Sequence, residues 1–236
     1  MKHARIALAP LALLLLGGAS APANAHIAIS SDLIRNAFLL TLLSIAPALF
    51  ICMTSFVRIA VVLAMVRQAF GMPETPPNIV LVSLAVLLTG FVMAPTFSAI
   101  NTQALQPLLA GQIDVETSIQ RGSAPLRDFM LRQTREEDIA TIYTLSHTPL
   151  PERPDQVDIM KLAPAFMMNE LRVSFTIGFI ILLPFLLIEL VVASILLSLG
   201  MMMVPPATIS LPIKLLMFVL IDGWTLVIEG VVGSFR

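Results

Sequence analysis

The sequence predicts an all-α protein, made of polytopic membrane-type helical hairpins with a small helical periplasmic segment. Of its 236 residues, 57% are hydrophobic and only 12% are charged, whereas soluble domains carry roughly 25% charged residues. Such a chain has too few charges to coat itself against water, so lipid or partner proteins must cover much of it. Long apolar stretches favour helices over strands, because lipid cannot satisfy open backbone groups.

Residues 1–25 match a cleavable signal peptide. A short basic head precedes an apolar core at residues 6–16, and Ala23-Asn24-Ala25 fits a small-x-small cleavage site. The core is shorter than the ~20 residues that a membrane span needs. Cleavage after Ala25 is therefore predicted over an uncleaved first helix, and the mature chain would begin at His26 in the bacterial periplasm.

Four apolar stretches are predicted to be the hydrophobic helices. Each is long enough to cross ~30 Å of hydrocarbon at about 1.5 Å per helical residue. The first two form a hairpin within residues 26–100, and the last two form a second hairpin within residues 162–236. Kinks rather than breaks are expected at the internal prolines. The stretches are residues 36–57 with an apolar continuation to Arg67, then 79–100, 173–200 and 211–235, and the prolines are Pro47, Pro95 and Pro184.

Residues 101–161 form a polar segment that is predicted to fold into short helices. A first helix is expected after Pro125, with its apolar stripe at Leu126, Phe129 and Met130. A second is expected to begin with the capping-box pattern of residues 134–137. Its apolar stripe lies at Ile139, Ile142 and Tyr143, and the proline-rich residues 147–155 follow as a loop.

The signal peptide sets the predicted orientation. If residue 26 is outside, alternation places residues 101–161 in the periplasm and residues 201–210 inside. Arg58 and Arg67 would then lie inside, in agreement with the positive-inside rule. The polar segment holds more arginine and lysine than that inner loop, but it is long enough for the rule to lose force.

No enzyme chemistry is predicted. The three histidines, His3, His26 and His147, are scattered, and Cys52 has no companion at metal-ligand spacing. The sequence has no glycine-rich phosphate loop and no nucleophile elbow. We therefore expect no catalytic residue, no cofactor and no metal site. A net charge of -1 also argues against a nucleic-acid partner.

Charged residues inside the apolar stretches are the sharpest signal. A carboxylate in lipid costs at least ~2.5 kcal/mol, so Glu189 and Asp222 should face protein, water or a basic partner. One interpretation is an ion or proton path. The favoured one is structural, with Arg58, Lys214 or a residue of another subunit pairing with each acid. Asp222 and Glu229 are seven residues apart, which predicts one shared helix face.

A methionine run separates the last two apolar stretches. Met201, Met202 and Met203 precede Pro205 and Pro206, and the prolines prevent the helix from continuing. Methionine is flexible and fills irregular gaps. The run is predicted to be a turn, either packed on neighbours or forming a deformable apolar constriction.

A series of short motifs extends through the chain from residue 36 to residue 235. They are Thr54-Ser55-Phe56 with Arg58, Thr75-Pro76-Pro77-Asn78, residues 125–136, Pro164-Ala165-Phe166, Glu170-Leu171, residues 190–194, 200–203 and 209–216, and Asp222-Gly223-Trp224. Together they resemble the FliP family of flagellar export proteins. Val57 departs from the family, which usually has proline before the arginine, and only the local kink depends on it.

The resemblance implies an export gate in the bacterial inner membrane, within the flagellar basal body. Family members assemble as several copies with FliQ and FliR, next to other export-apparatus membrane proteins and the basal-body ring. Their helices form a cone, raised toward the periplasm, that passes unfolded flagellar proteins. By this resemblance Met201, Met202 and Met203 form a gasket around the pore. An injectisome homologue, or an ion or small-molecule carrier using intramembrane carboxylates, is the alternative.

Overall fold

The computed structural model describes residues 40–41, 44, 47–71 and 75–235. The predicted signal peptide, residues 1–25, and its cleavage site at Ala25 lie outside the described residues. The helices below belong to the compact unit that begins at Ala46.

Helices and their connecting turns make up this unit, and the described residues contain no strand. The predicted all-α class is therefore confirmed. A π-helical turn, Asn101–Leu105, follows α3, and a short 3₁₀ helix, Pro154–Gln156, precedes α7. The α-helices are α1 Pro47–Met53, α2 Phe56–Ala69, α3 Asn78–Ile100, α4 Gln106–Leu109, α5 Val115–Gln133, α6 Glu136–Leu145, α7 Ile159–Ser198, α8 Pro206–Leu220 and α9 Gly223–Val232.

Among the described residues, two helical segments are long and apolar enough to cross a membrane. One runs from Asn78 to Leu109 and has 32 residues, and the other is α7 with 40 residues. Two bent pairs, α1 with α2 and α8 with α9, could each form one more span. Pro95 lies inside α3 and Pro184 inside α7, and neither ends its helix.

The last apolar stretch is not one helix, because the chain bends by 67° between α8 and α9. Asp222 lies at the bend with φ 51° and ψ 53°, a left-handed conformation that interrupts the helical hydrogen-bond ladder. The expectation that Asp222 and Glu229 share one helix face was therefore wrong. The first stretch bends similarly, by 77° between α1 and α2.

The polar segment is helical, and its second helix begins within the predicted residues 134–137, but its first helix begins elsewhere than predicted. Helix α5 starts at Val115, so Pro125 lies inside it rather than before it. The predicted capping box was also wrong: the Thr134 hydroxyl donates to the Met130 carbonyl at 2.7 Å, and Arg135 precedes α6 without a side-chain cap. Threonine often bonds back to the carbonyl four residues earlier, in competition with capping.

The apolar stripes of the polar segment pack on the beginning of α7. Phe129 and Met130 of α5, together with Ile139 and Tyr143 of α6, are buried around Phe166. Asp138 and Arg172 join α6 to α7 through two parallel hydrogen bonds of 2.8 Å. The segment that the sequence predicts to be periplasmic is thus fixed to α7, the longest helix that the structure describes.

A second core surrounds α2 at the apolar end of the molecule. Ile59, Val62 and Val66 are fully buried there between α3, α7 and α9. A chain of aromatic contacts closes this core: Phe70 with Phe185 and Phe218, and Phe218 with Trp224. Because α2 packs on α3 of its own hairpin and on α7 and α9 of the other, its side chains hold the two hairpins together.

Candidate functional site: the methionine turn and the intramembrane charges

The methionine run lies in the turn between α7 and α8. Met201, Met202 and Met203 are 43%, 80% and 97% exposed. Gly200 has φ 75°, a left-handed conformation that glycine adopts without a steric penalty. Pro206 occupies the first position of α8, where proline fits because its missing N–H has no helical partner. The turn therefore presents three flexible apolar side chains at the tip of a hairpin.

No charged residue occurs within this hairpin between Glu189 and Lys214. These two residues form an ion pair across it, with Lys214 Nζ 2.6 Å from Glu189 Oε2. Each lies about 12–14 Å along its helix from the turn, at about 1.5 Å per residue. The tip is therefore apolar, and the charges that would attract water lie about two helical turns away from it along the two helices.

The Glu189–Lys214 pair is one of the structural arrangements that the sequence suggested. Lys214 is buried, with 5% of its side chain exposed, while 43% of Glu189 is exposed. A buried lysine without an acid would be strongly unfavourable in an apolar layer. The pair thus accounts for both charges within one hairpin.

Arg58 is buried and all five of its N–H donors have acceptors. Nε and one Nη2 hydrogen go to the two carboxylate oxygens of Glu170, and the other Nη2 hydrogen goes to the Gln133 side chain. Nη1 donates to the carbonyl and the hydroxyl of Ser234, both at 3.0 Å. The Phe235 ring lies 3.9 Å from the guanidinium carbon. Arg58 therefore joins α2, α5, α7 and the C-terminal residues. Because Gln133 belongs to the polar segment that is predicted to lie outside, the expectation that Arg58 lies in the inner loop was wrong.

Sequence reasoning missed Glu170 as the partner of Arg58. Glu170 lies three residues before the apolar stretch predicted at 173–200, so it was not counted among the intramembrane acids. The available signal was that Glu170 is an acid close to the start of this apolar stretch, two residues before Arg172. Only the fold shows that these two chain segments meet.

Asp222 has a different environment from Glu189. It is exposed, and its carboxylate makes no hydrogen bond or ion pair with any residue that the structure describes. Neither Arg58 nor Lys214 is available to it, because each bonds another acid. Its left-handed backbone forms the corner between α8 and α9.

The described residues provide no metal centre, since no three histidine, cysteine or acidic side chains come together in them. A cavity of about 470 Å³ lies in the polar segment, lined by groups that include Arg132, Glu136 and Val157. It contains neither cysteine nor histidine. Together the described residues offer an apolar tip and two ion pairs, Arg58–Glu170 and Lys214–Glu189.

Comparison with known proteins matches the FliP family model to residues 39–231. The chain belongs to the FliP family. FliP proteins, described as flagellar biosynthetic proteins, share 49% identity with this chain in Pectobacterium carotovorum subsp. carotovorum, over 86% of the chain and 78% of the relative. The identity is 48% in Caulobacter vibrioides, over 84% and 74%, and 44% in Bacillus subtilis, over 87% and 93%.

The family places the protein in the flagellar export apparatus, and its apolar helices fit a membrane-associated component of it. The resemblance inferred from the sequence motifs is thus confirmed. The region matched to FliP includes the methionine turn, Arg58, and the pair Glu189–Lys214. The pore role of the turn stays a prediction.

Proposed function

We propose that several copies of this FliP-family chain, together with FliQ and FliR, form the channel of the flagellar export gate. The channel would lie in the bacterial inner membrane, at the flagellar basal body next to other export-apparatus proteins. Unfolded flagellar proteins would pass through it. The exposed, uncharged methionine turn carries this proposal, because an idle protein channel needs an apolar closure that can deform.

The outer surface of the hairpins supports assembly. Along α7, Phe175, Phe179, Leu187 and Leu190 are each 55–65% exposed. Contiguous apolar surface of this kind marks contact with lipid or with other proteins. Several copies in a ring would cover part of it and leave the rest to the bilayer.

A carrier is less well supported than a channel. A proton or ion path needs several titratable groups that remain free to change charge. Arg58 and Lys214 already bond Glu170 and Glu189. Of the acids that the sequence singled out, this leaves Asp222 and Glu229, which are both exposed. The relatives described above are flagellar proteins, which favours a flagellar over an injectisome gate.

Isolation of the complex tests the proposal. An affinity tag inserted at Glu152 is suitable because that residue is exposed and because Ser234 and Phe235 contact Arg58 at the other end of the chain. We expect the purified protein to have a native mass several times 25.6 kDa and to contain FliQ and FliR. Cells that lack FliR provide the control. A monomer without these partners would contradict the proposal.

Thiol labelling tests the proposed periplasmic position of the polar segment. In a Cys52→Ala background, a cysteine at Arg153 should react with a membrane-impermeant maleimide in cells with a permeable outer membrane, because that side chain is 70% exposed. A cysteine at Thr75, which is exposed in the predicted inner loop, should react only after lysis. The reverse labelling pattern would show that the orientation is wrong.

A further inference from the structure

We propose that Arg67 of one copy and Asp222 of the next copy form an ion pair across the interface between neighbouring chains. This inference rests on the proposed assembly of several copies and adds to it a specific contact. It concerns two charges of opposite sign that no residue of the same chain neutralises within the part that the structure describes.

Arg67 lies in the last turn of α2 and is half-buried. Its Nη1 donates to the side-chain oxygen of Asn78, and that amide carries no charge. Within the described ranges, no carboxylate pairs with Arg67. By contrast, Arg58, Arg172 and Lys214 each have a carboxylate within the chain.

Asp222 lies in an apolar surface. The three residues before it, Val219, Leu220 and Ile221, are 73%, 75% and 47% exposed. A left-handed backbone favours Asn, Asp or Gly, so two uncharged residues would serve the corner equally well. The turn therefore does not explain the negative charge. A carboxylate in an apolar layer needs a cation or water, and a second copy can supply the cation.

The two charges lie at nearly the same level of the molecule. Phe70, three residues after Arg67, packs edge-on against Phe218 with ring centroids 4.9 Å apart. Phe218 in turn lies four residues before Asp222. Each charge is therefore about one helical turn, roughly 5.4 Å, from the same aromatic contact. Rotation about an axis along the helices keeps both groups at that level in every copy.

The two charges also lie on different flanks. Arg67 bonds the first residue of α3, and α3 packs on α2 and α5. Asp222 joins α8 to α9, which pack on α7, on α2 and on each other. An interface that joins two different patches of the same chain is heterologous, and repeated rotation closes it into a ring. In such a ring the Arg67 flank of one copy meets the Asp222 flank of the next.

Charge reversal tests the pairing. Arg67→Glu and Asp222→Arg, each expressed alone, place like charges across every interface, and each should lower the yield of the oligomer by about tenfold or more, as expected for a like-charge contact. Asp222→Asn keeps the left-handed corner and removes only the charge, so it should lose less. Protease resistance of each variant should equal that of the wild type, which separates misfolding from failed assembly.

Co-expression of the two reversed chains decides the matter. The Arg67→Glu chain keeps Asp222, and the Asp222→Arg chain keeps Arg67. Where the two chains alternate, every interface between them therefore joins a positive side chain to a negative one. We expect the oligomer and motility to return only when both variants are present. If the co-expressed variants form no oligomer while the wild type does, the pairing is overturned. It is also overturned if only a chain that carries both substitutions regains the oligomer, because that result would place the two charges in contact within one chain. A monomeric wild type would instead refute the proposed function.

Discussion

Replacement of Arg58 with alanine is expected to lower the free energy of unfolding by about 3–5 kcal/mol. The side chain is 2% exposed and its Glu170 partner is fully buried. Loss of the guanidinium leaves that carboxylate without its cation in an apolar interior. It also removes the donors to Gln133 and Ser234.

Arg58→Lys separates charge from geometry. Lysine keeps the positive charge but has three donors on one nitrogen, so it cannot reproduce the planar fork that reaches Glu170, Gln133 and Ser234 together. We expect a smaller loss than for alanine. Thermal unfolding of the purified protein in detergent, followed by circular dichroism, measures both effects.

Arg153→Ala is the matched control for Arg58→Ala. Arg153 also pairs with an acid, Asp155, but the two side chains are 70% and 62% exposed, and exposed pairs contribute only about 0–1 kcal/mol. Its unfolding temperature should stay close to that of the wild type. Equal losses for the two alanine variants would show that the Arg58 cluster contributes no more than a surface ion pair.

The helices and the methionine turn could be predicted because their signals are local. Runs of apolar residues without charge determine where α3 and α7 can form. Gly200 follows the end of α7, and Pro205 and Pro206 mark the start of α8. The bend at Asp222 was missed because it has no such signal in the hydropathy pattern. An apolar run can continue through a left-handed residue, so hydropathy does not register a corner that one backbone conformation creates.

The partners of the buried charges depend on contacts between distant parts of the chain. Arg58 and Glu170 are separated by 112 positions, and no local pattern relates them. Glu189 and Lys214 are only 25 apart on two helices of one hairpin, so a sequence reading could propose that pairing. The start of α5 at Val115 was missed because Pro125 was taken as a helix start, whereas the helix continues through Pro125.

Replacement of Met201, Met202 and Met203 by alanine is expected to leave the complex assembled but permeable to small ions. The turn would keep Gly200 and the following prolines, so its backbone should be unchanged. Alanine is apolar but too short to fill a pore, whereas unbranched methionines repack around whatever passes. Because the three side chains are 43–97% exposed in the single chain, their removal should cost little folding stability.

Leu187, Leu190 and Leu197 replaced by alanine form the control for the methionine variant. These side chains are 63–67% exposed on α7, so the control removes a similar apolar bulk from the helix that leads to the turn. If the turn closes a pore, only the methionine variant should admit ions, since water wets a ring that has lost its apolar bulk. If the methionines merely pack on neighbours, both variants should lower the yield of complex without a leak.

Membrane conductance and small-solute entry, measured in cells with equal amounts of complex, distinguish these outcomes. We expect the methionine variant to depolarise the membrane and slow growth, with both effects absent in cells that lack FliR, where no channel assembles. A tight membrane at normal abundance of the variant complex would contradict a gasket made by this turn. Since no charged residue lies between Glu189 and Lys214, a leak caused by the substitutions would have to come from lost bulk rather than from an altered charge.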